Sequence, residues 1–164
     1  MTGQQKPPLL VIGVGNRFRG DDAAGLLVVS LLRDMGLDSS LIIEHSGEGA
    51  ALMETWKGAD AVIMIDAVSS GGAPGTIHRL DPIRNPLPAQ MFHGSTHAFS
   101  LPDAIEMARA LDELPPRLLV FGIEGRNFQA GDEVSPELNK ALPEVAKLVL
   151  KTMEALRAGT GNGD

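Results

Sequence analysis

Residues 9–25, LLVIGVGNRFRGDDAAG, carry an apolar run into a Gly-x-Gly turn that delivers two adjacent carboxylates, Asp21 and Asp22. The run predicts a buried strand and the segment beyond the acids a helix, the opening unit of an α/β fold. A glycine turn between strand and helix commonly cradles phosphate. Here a phosphate would meet two negative charges in a partly desolvated cleft, and a cation fits the place better.

Working outward, strand-length apolar runs recur at 41–45 (LIIEH), 61–66 (AVIMID) and 117–123 (RLLVFGI). Most lack polar alternation, the mark of strands buried on both faces of a parallel sheet. Helix-like segments separate them at 22–35, 49–57 and 101–111, with a last one from 136 to about 157. This alternation predicts an α/β sandwich around a largely parallel sheet. The segment GTIHRL, 75–80, follows a GGAPG turn and reads as an added, antiparallel edge strand. Caps agree with the periodicity: Asp21 for the first helix, Ser100 with Pro102 and Asp103 for the third, Ser135 with Pro136 for the fourth. In the last helix Leu138, Leu142, Val145, Leu148, Val149 and Met153 form one apolar face, which packs on the sheet and leaves the helix no catalytic role.

The 164 residues, 43% of them hydrophobic, suit one domain with a sizeable core spanning 1–164, and residues 1–7 and 158–164 are expected to be disordered tails. Fourteen Lys and Arg against 21 Asp and Glu give a net charge of −7, which argues against nucleic acid or an anionic membrane as partner. No basic leader precedes the first apolar run, and no run approaches the roughly 18 residues of a membrane span. A soluble, cytoplasmic monomer is expected. The absence of cysteine excludes a thiolate nucleophile, iron–sulfur ligation and thiolate zinc sites, so any metal meets oxygen and nitrogen ligands. Without Tyr, and with aromatics at 4%, a stacking platform for bases is also unexpected.

Ligands of open α/β sheets bind beyond the carboxyl ends of the strands. The first strand delivers Asn16, Arg17, Asp21 and Asp22 there, the second Glu44, His45, Ser46 and Glu48, and the third Asp66. FHGSTH, 92–97, precedes the third helix. Asp66 ends an apolar run, where an unpaired carboxylate costs several kcal/mol to desolvate and therefore needs a partner. It reads either as an Asx turn for the VSSGG loop or as a ligand. Asp22 reads either as a first-turn acid favouring its helix dipole or as a ligand. His97 and His93 have surface or capping roles as their alternative, and His78, inside GTIHRL, is taken as structural. Two carboxylates and an imidazole on one sheet edge would make a half-filled coordination sphere suited to Zn, Ni, Co or Mn.

A dinucleotide-binding oxidoreductase is the competing reading, because GVGN follows a strand and Glu44 lies where a ribose-binding acid would sit. The spacing argues against it: Gly13 and Gly15 are followed by Gly20, not by G-x-G-x-x-G, and the acids lie where pyrophosphate needs donors. A P-loop lacks its Gly-Lys-Ser/Thr.

Four segments in register, GVGNRFRGDDAAG, AVIMIDAV, GGAPGT and STHAFSL, resemble the hydrogenase maturation endopeptidases, and the resemblance spans roughly residues 9–125. It implies a twisted sheet of about five strands with helices on both faces. It also implies removal of the C-terminal extension of a nickel-iron hydrogenase large-subunit precursor, with metal ligands that map onto Asp22, Asp66 and His97. Some members carry Glu where this chain has Asp22; His93 lies outside the motif and ranks below His97. The nickel is implied to arrive inserted in the precursor, with zinc or cadmium able to take the site in vitro. A conventional hydrolase holding its own Zn or Ni, with Asp21 or Glu48 as general base, is the second mechanism, and a non-catalytic nickel chaperone or scaffold a further alternative. Specificity for the cognate large subunit is expected in loops 81–95 and 124–134.

Overall fold

The computed structural model describes residues 8–92 and 97–159. Five strands, β1 (Leu9–Val14), β2 (Ile42–His45), β3 (Ala61–Val68), β4 (Ile77–Leu80) and β5 (Arg117–Glu124), form one sheet in the order β2-β1-β3-β5-β4. All pairings are parallel except β4 with β5, so the short edge strand is antiparallel as expected. Four helices, α1 (Ala24–Asp34), α2 (Gly49–Trp56), α3 (Leu101–Ala110) and α4 (Pro136–Ala158), complete the fold.

The strand side chains point alternately to two cores. Val11, Ile63, Ile65 and Phe121 pack beneath α1 and α4, whereas Ile12, Met64, Leu118 and Val120 pack beneath α2 and α3 with Trp56. Helices therefore cover both faces, and the central strands β1, β3 and β5 are almost entirely buried. The expected face of α4 is real, with Leu138, Leu142, Val145, Val149 and Met153 buried and Leu148 packed at its margin. At the edge, β2 departs from the both-faces-buried reading: Ile42 is buried, but Glu44 is exposed, since only one neighbour strand shields it.

Two close approaches set the geometry of the opening stretch. A Cβ at Gly25 would collide with the carbonyls of Val14 and Ile65, so α1 lies directly against the ends of β1 and β3. Gly15, at φ 155°, faces the carbonyl of Asp22, which a Cβ would strike, so the turn folds back on the acid it delivers. Among the described residues no helix is long and apolar enough to cross a membrane. The expected tails, 1–7 and most of 158–164, lie outside the described residues, as does His93.

Candidate functional site

Between the loops that leave β1, β2 and β3 lies a cleft lined by Gly15, Asp22, Ser46, Asp66 and His97, with Phe92 on its wall. It sits at the carboxyl edge of the sheet, as the topology requires.

Asp22 occupies a turn of 3-10 helix, Gly20–Ala23, that precedes α1, so the helix begins two residues later than its sequence pattern predicts. Its N–H donates to the Arg19 carbonyl (3.1 Å), and its own carbonyl accepts from Asn16 N–H (3.2 Å). Asp66 lies inside β3 and does not end it. The strand runs on to Val68 because β5 pairs with it as far as Glu124, placing Asp66 opposite Gly122. One carboxylate oxygen of Asp66 accepts from the next N–H, that of Ala67, at 2.8 Å. His97 Nε2 donates to the Ser46 carbonyl at 3.1 Å, which fixes the ring across the cleft.

Both carboxylates are held above their usual pKa. Burial pushes Asp22 up to about 6, against the opposing pull of the Arg19 guanidinium, the Asn16 N–H and His97. Burial, with the charge of Asp22 added, raises Asp66 well above the usual carboxylate range. Such a pair resists carrying negative charge in the cleft, and a bound cation would stabilise the ionised forms. In the conformation described, Asp22, Asp66 and His97 share the cleft without closing into a coordination sphere: among the described residues no group of three His, Asp or Glu side chains is gathered tightly enough to hold a metal ion.

Asp21 has a different task from the cap expected of it. Neither the 3-10 turn nor α1 receives a side-chain cap, because the fully buried carboxylate of Asp21 is taken up elsewhere. It accepts from Arg126 N–H (2.8 Å), Asn127 N–H (3.2 Å), Ser135 N–H (2.7 Å) and Ser135 Oγ (2.8 Å). Asp21 thus staples the β1–α1 turn to the β5–α4 loop, while Ser135 Oγ caps α4 through Leu138 N–H. The neighbouring carboxylates divide the work: Asp21 is consumed by structure and Asp22 faces the cleft. Glu48 is likewise engaged, capping α2 through Ala50 and Ala51 N–H, and those bonds lower its pKa. Neither acid stands free as a general base. His45, whose pKa is lowered chiefly by burial, accepts at Nδ1 from Gly47 N–H (2.9 Å).

Sequence reasoning missed Glu124. This buried carboxylate ends β5 and accepts from the N–H and hydroxyl of Ser70 and from His78 Nε2 at 3.0 Å. Burial raises its pKa, yet Ser70 and His78 outweigh burial and leave it below the usual value. His78 is structural, as expected, and its partner carried a legible signal: like Asp66, Glu124 adjoins an apolar run. Glu44 lies where a ribose-binding acid would sit, but Arg17 Nη2 (2.6 Å) and Arg33 Nη1 (2.7 Å) hold it on the surface.

A carboxylate pair facing an imidazole at the carboxyl edge of a parallel sheet, with no phosphate cradle, defines an α/β protein whose site suits positive charge. Residues 27–152 match the hydrogenase maturation protease family, HycI. A putative hydrogenase maturation protease of Methanocaldococcus jannaschii is 32% identical over 93% of this chain and 96% of its own. The hydrogenase 2 maturation protease of Escherichia coli is 27% identical over 88% and 90%. The solved structure of the E. coli hydrogenase maturating endopeptidase HybD superposes with TM-score 0.72 at 26% identity, covering 93% of each chain. An E. coli endopeptidase structure determined in solution reaches TM-score 0.77, also at 26% identity, over 92% and 93%. The chain belongs to the hydrogenase maturation protease family and is an endopeptidase, a hydrolase.

Proposed function

We propose that this endopeptidase removes the C-terminal extension of a nickel-iron hydrogenase large-subunit precursor after nickel insertion, and that Asp22, Asp66 and His97 engage the nickel that the precursor brings. The observation that carries the reading is the acid pair: two carboxylates share one cleft, both held above their usual pKa, with an imidazole beside them. Oxygen and nitrogen donors of this kind suit a borderline divalent ion. Nickel in the substrate would polarise a carbonyl or acidify a water, chemistry for which the chain offers no thiolate.

Each residue has a separate part. Asp22 and Asp66 would ionise against a divalent ion, which stabilises the charged carboxylates that burial alone disfavours, so precursor lacking nickel forgoes that gain. His97, oriented by Ser46, supplies the nitrogen donor. Asp21 ties the turn that carries Asp22 to the loop 125–135, so the backbone of that turn is fixed before the ion arrives. Cytoplasmic processing by a single-domain monomer belongs to the same reading.

Single substitutions test it. Asp22→Asn, Asp66→Asn and His97→Ala are each expected to stay folded by circular dichroism and to leave the precursor uncut in a gel-shift processing assay. Processing retained by all three variants would overturn the assignment.

A further inference from the structure

The loop between β1 and the 3-10 turn presents an apolar side chain to solvent on a backbone that is firmly pinned. Phe18 is 75% exposed; the next most exposed large hydrophobic among the described residues, Leu111, is 55% exposed. Its backbone is tied on both sides. Phe18 N–H donates to Asn16 Oδ1 (2.9 Å), and its carbonyl accepts from Gly131 N–H (2.9 Å). Arg19 N–H donates to the Asn16 carbonyl at 3.3 Å, and the next residue, Gly20, adopts φ 56° against Asn127. A large apolar side chain on a backbone already ordered offers a contact whose backbone ordering cost is met before a partner arrives.

The same turn abuts the acid cleft, since Asn16 and Arg19 each bond the backbone of Asp22. Arg19 adds a second observation: its Nη1 is buried with no hydrogen-bond partner among the described residues. A buried donor left unpaired costs free energy that an incoming acceptor would recover. Arg17, by contrast, is already engaged with Glu44.

We propose that Phe18 and Arg19 are the docking contact for the precursor protein, Phe18 seating in an apolar recess of the precursor and Arg19 Nη1 donating to a carbonyl or carboxylate oxygen of the segment led into the cleft. This rests on the processing reading above. It makes the Asn16–Gly20 turn a determinant of substrate recognition, adjoining the acids.

The test is surface plasmon resonance with immobilised nickel-loaded precursor, paired with steady-state processing. Phe18→Ala is expected to raise both Kd and KM roughly tenfold or more, the range of an interface anchor, with kcat within about twofold of the parent. Phe18→Leu should recover most of the loss. Arg19→Met should raise Kd roughly tenfold at pH 8, with the fold retained by circular dichroism. Leu111→Ala, at the far end of α3 from the cleft, should match the parent. Parental Kd and KM in Phe18→Ala, or a fall in kcat without a change in KM, would overturn the proposal. A parent protein that binds the precursor without shortening it would defeat the processing reading, and the Kd ratios would still decide the docking one. No binding by the parent would overturn the docking proposal as well.

Discussion

Replacing Asp22 by Asn should stabilise the metal-free protein while abolishing its activity. The carboxyl rises from 3.8 to about 6 on folding, so the fold favours its protonated form. Stability associated with that preference is fully present below the unfolded pKa of 3.8 and is lost as pH climbs through about 6, leaving a charged, penalised group at neutrality. At about 1.4 kcal/mol per pH unit the penalty is bounded at ~3 kcal/mol. Asp22 is only half-buried, and solvent screening reduces the figure to ~1–2 kcal/mol. Asn keeps the shape and removes the charge. Urea unfolding in the presence of a chelator, from pH 4 to pH 8, should show the parent falling behind the variant as pH rises. With a slope of about 2 kcal/mol per molar urea, the midpoint gap at pH 8 should be roughly 0.5–1 M, closing toward pH 4. A variant less stable than the parent at pH 8, or a gap independent of pH, would show that burial does not destabilise this carboxylate.

Asp21→Ala should cost ~3 kcal/mol or more in the same assay, because three N–H groups and a hydroxyl lose their charged acceptor in a fully buried place; hydrogen exchange in 125–135 should rise with it. Glu124→Gln should lower stability at pH 7 and weaken its dependence on acid: the folded pKa lies below the unfolded one, so the stability is present at higher pH and lost as pH falls through the native value. Glu44→Gln should shift stability by less than about 1 kcal/mol, since its two arginine pairs are solvent-exposed.

The layer order and the parallel core were legible because Leu9–Val14, Ala61–Val68 and Arg117–Glu124 are apolar along their length, which only a doubly covered sheet accommodates. Sequence also singled out Asp22, Asp66 and His97, and the fold brings all three to one cleft. What it misread followed from contacts distant in sequence. Asp21 and Asp22 are chemically equivalent as text, and only the approach of Ser135, 114 residues away, assigns one to structure. The extension of β3 past Asp66 depended on pairing with β5, and the burial of Glu124 on Ser70 and His78. The exposure of Glu44 followed from β2 taking the sheet edge. Local pattern fixes which residues are apolar, but not which strand becomes an edge.

Whether the acid pair meets nickel carried by the substrate is decided by incubating chelator-treated, metal-free protein with nickel-loaded and nickel-free precursor in parallel and following the mass of the large subunit. Cleavage of the loaded precursor alone is expected. Cleavage of nickel-free precursor at a comparable rate would contradict it.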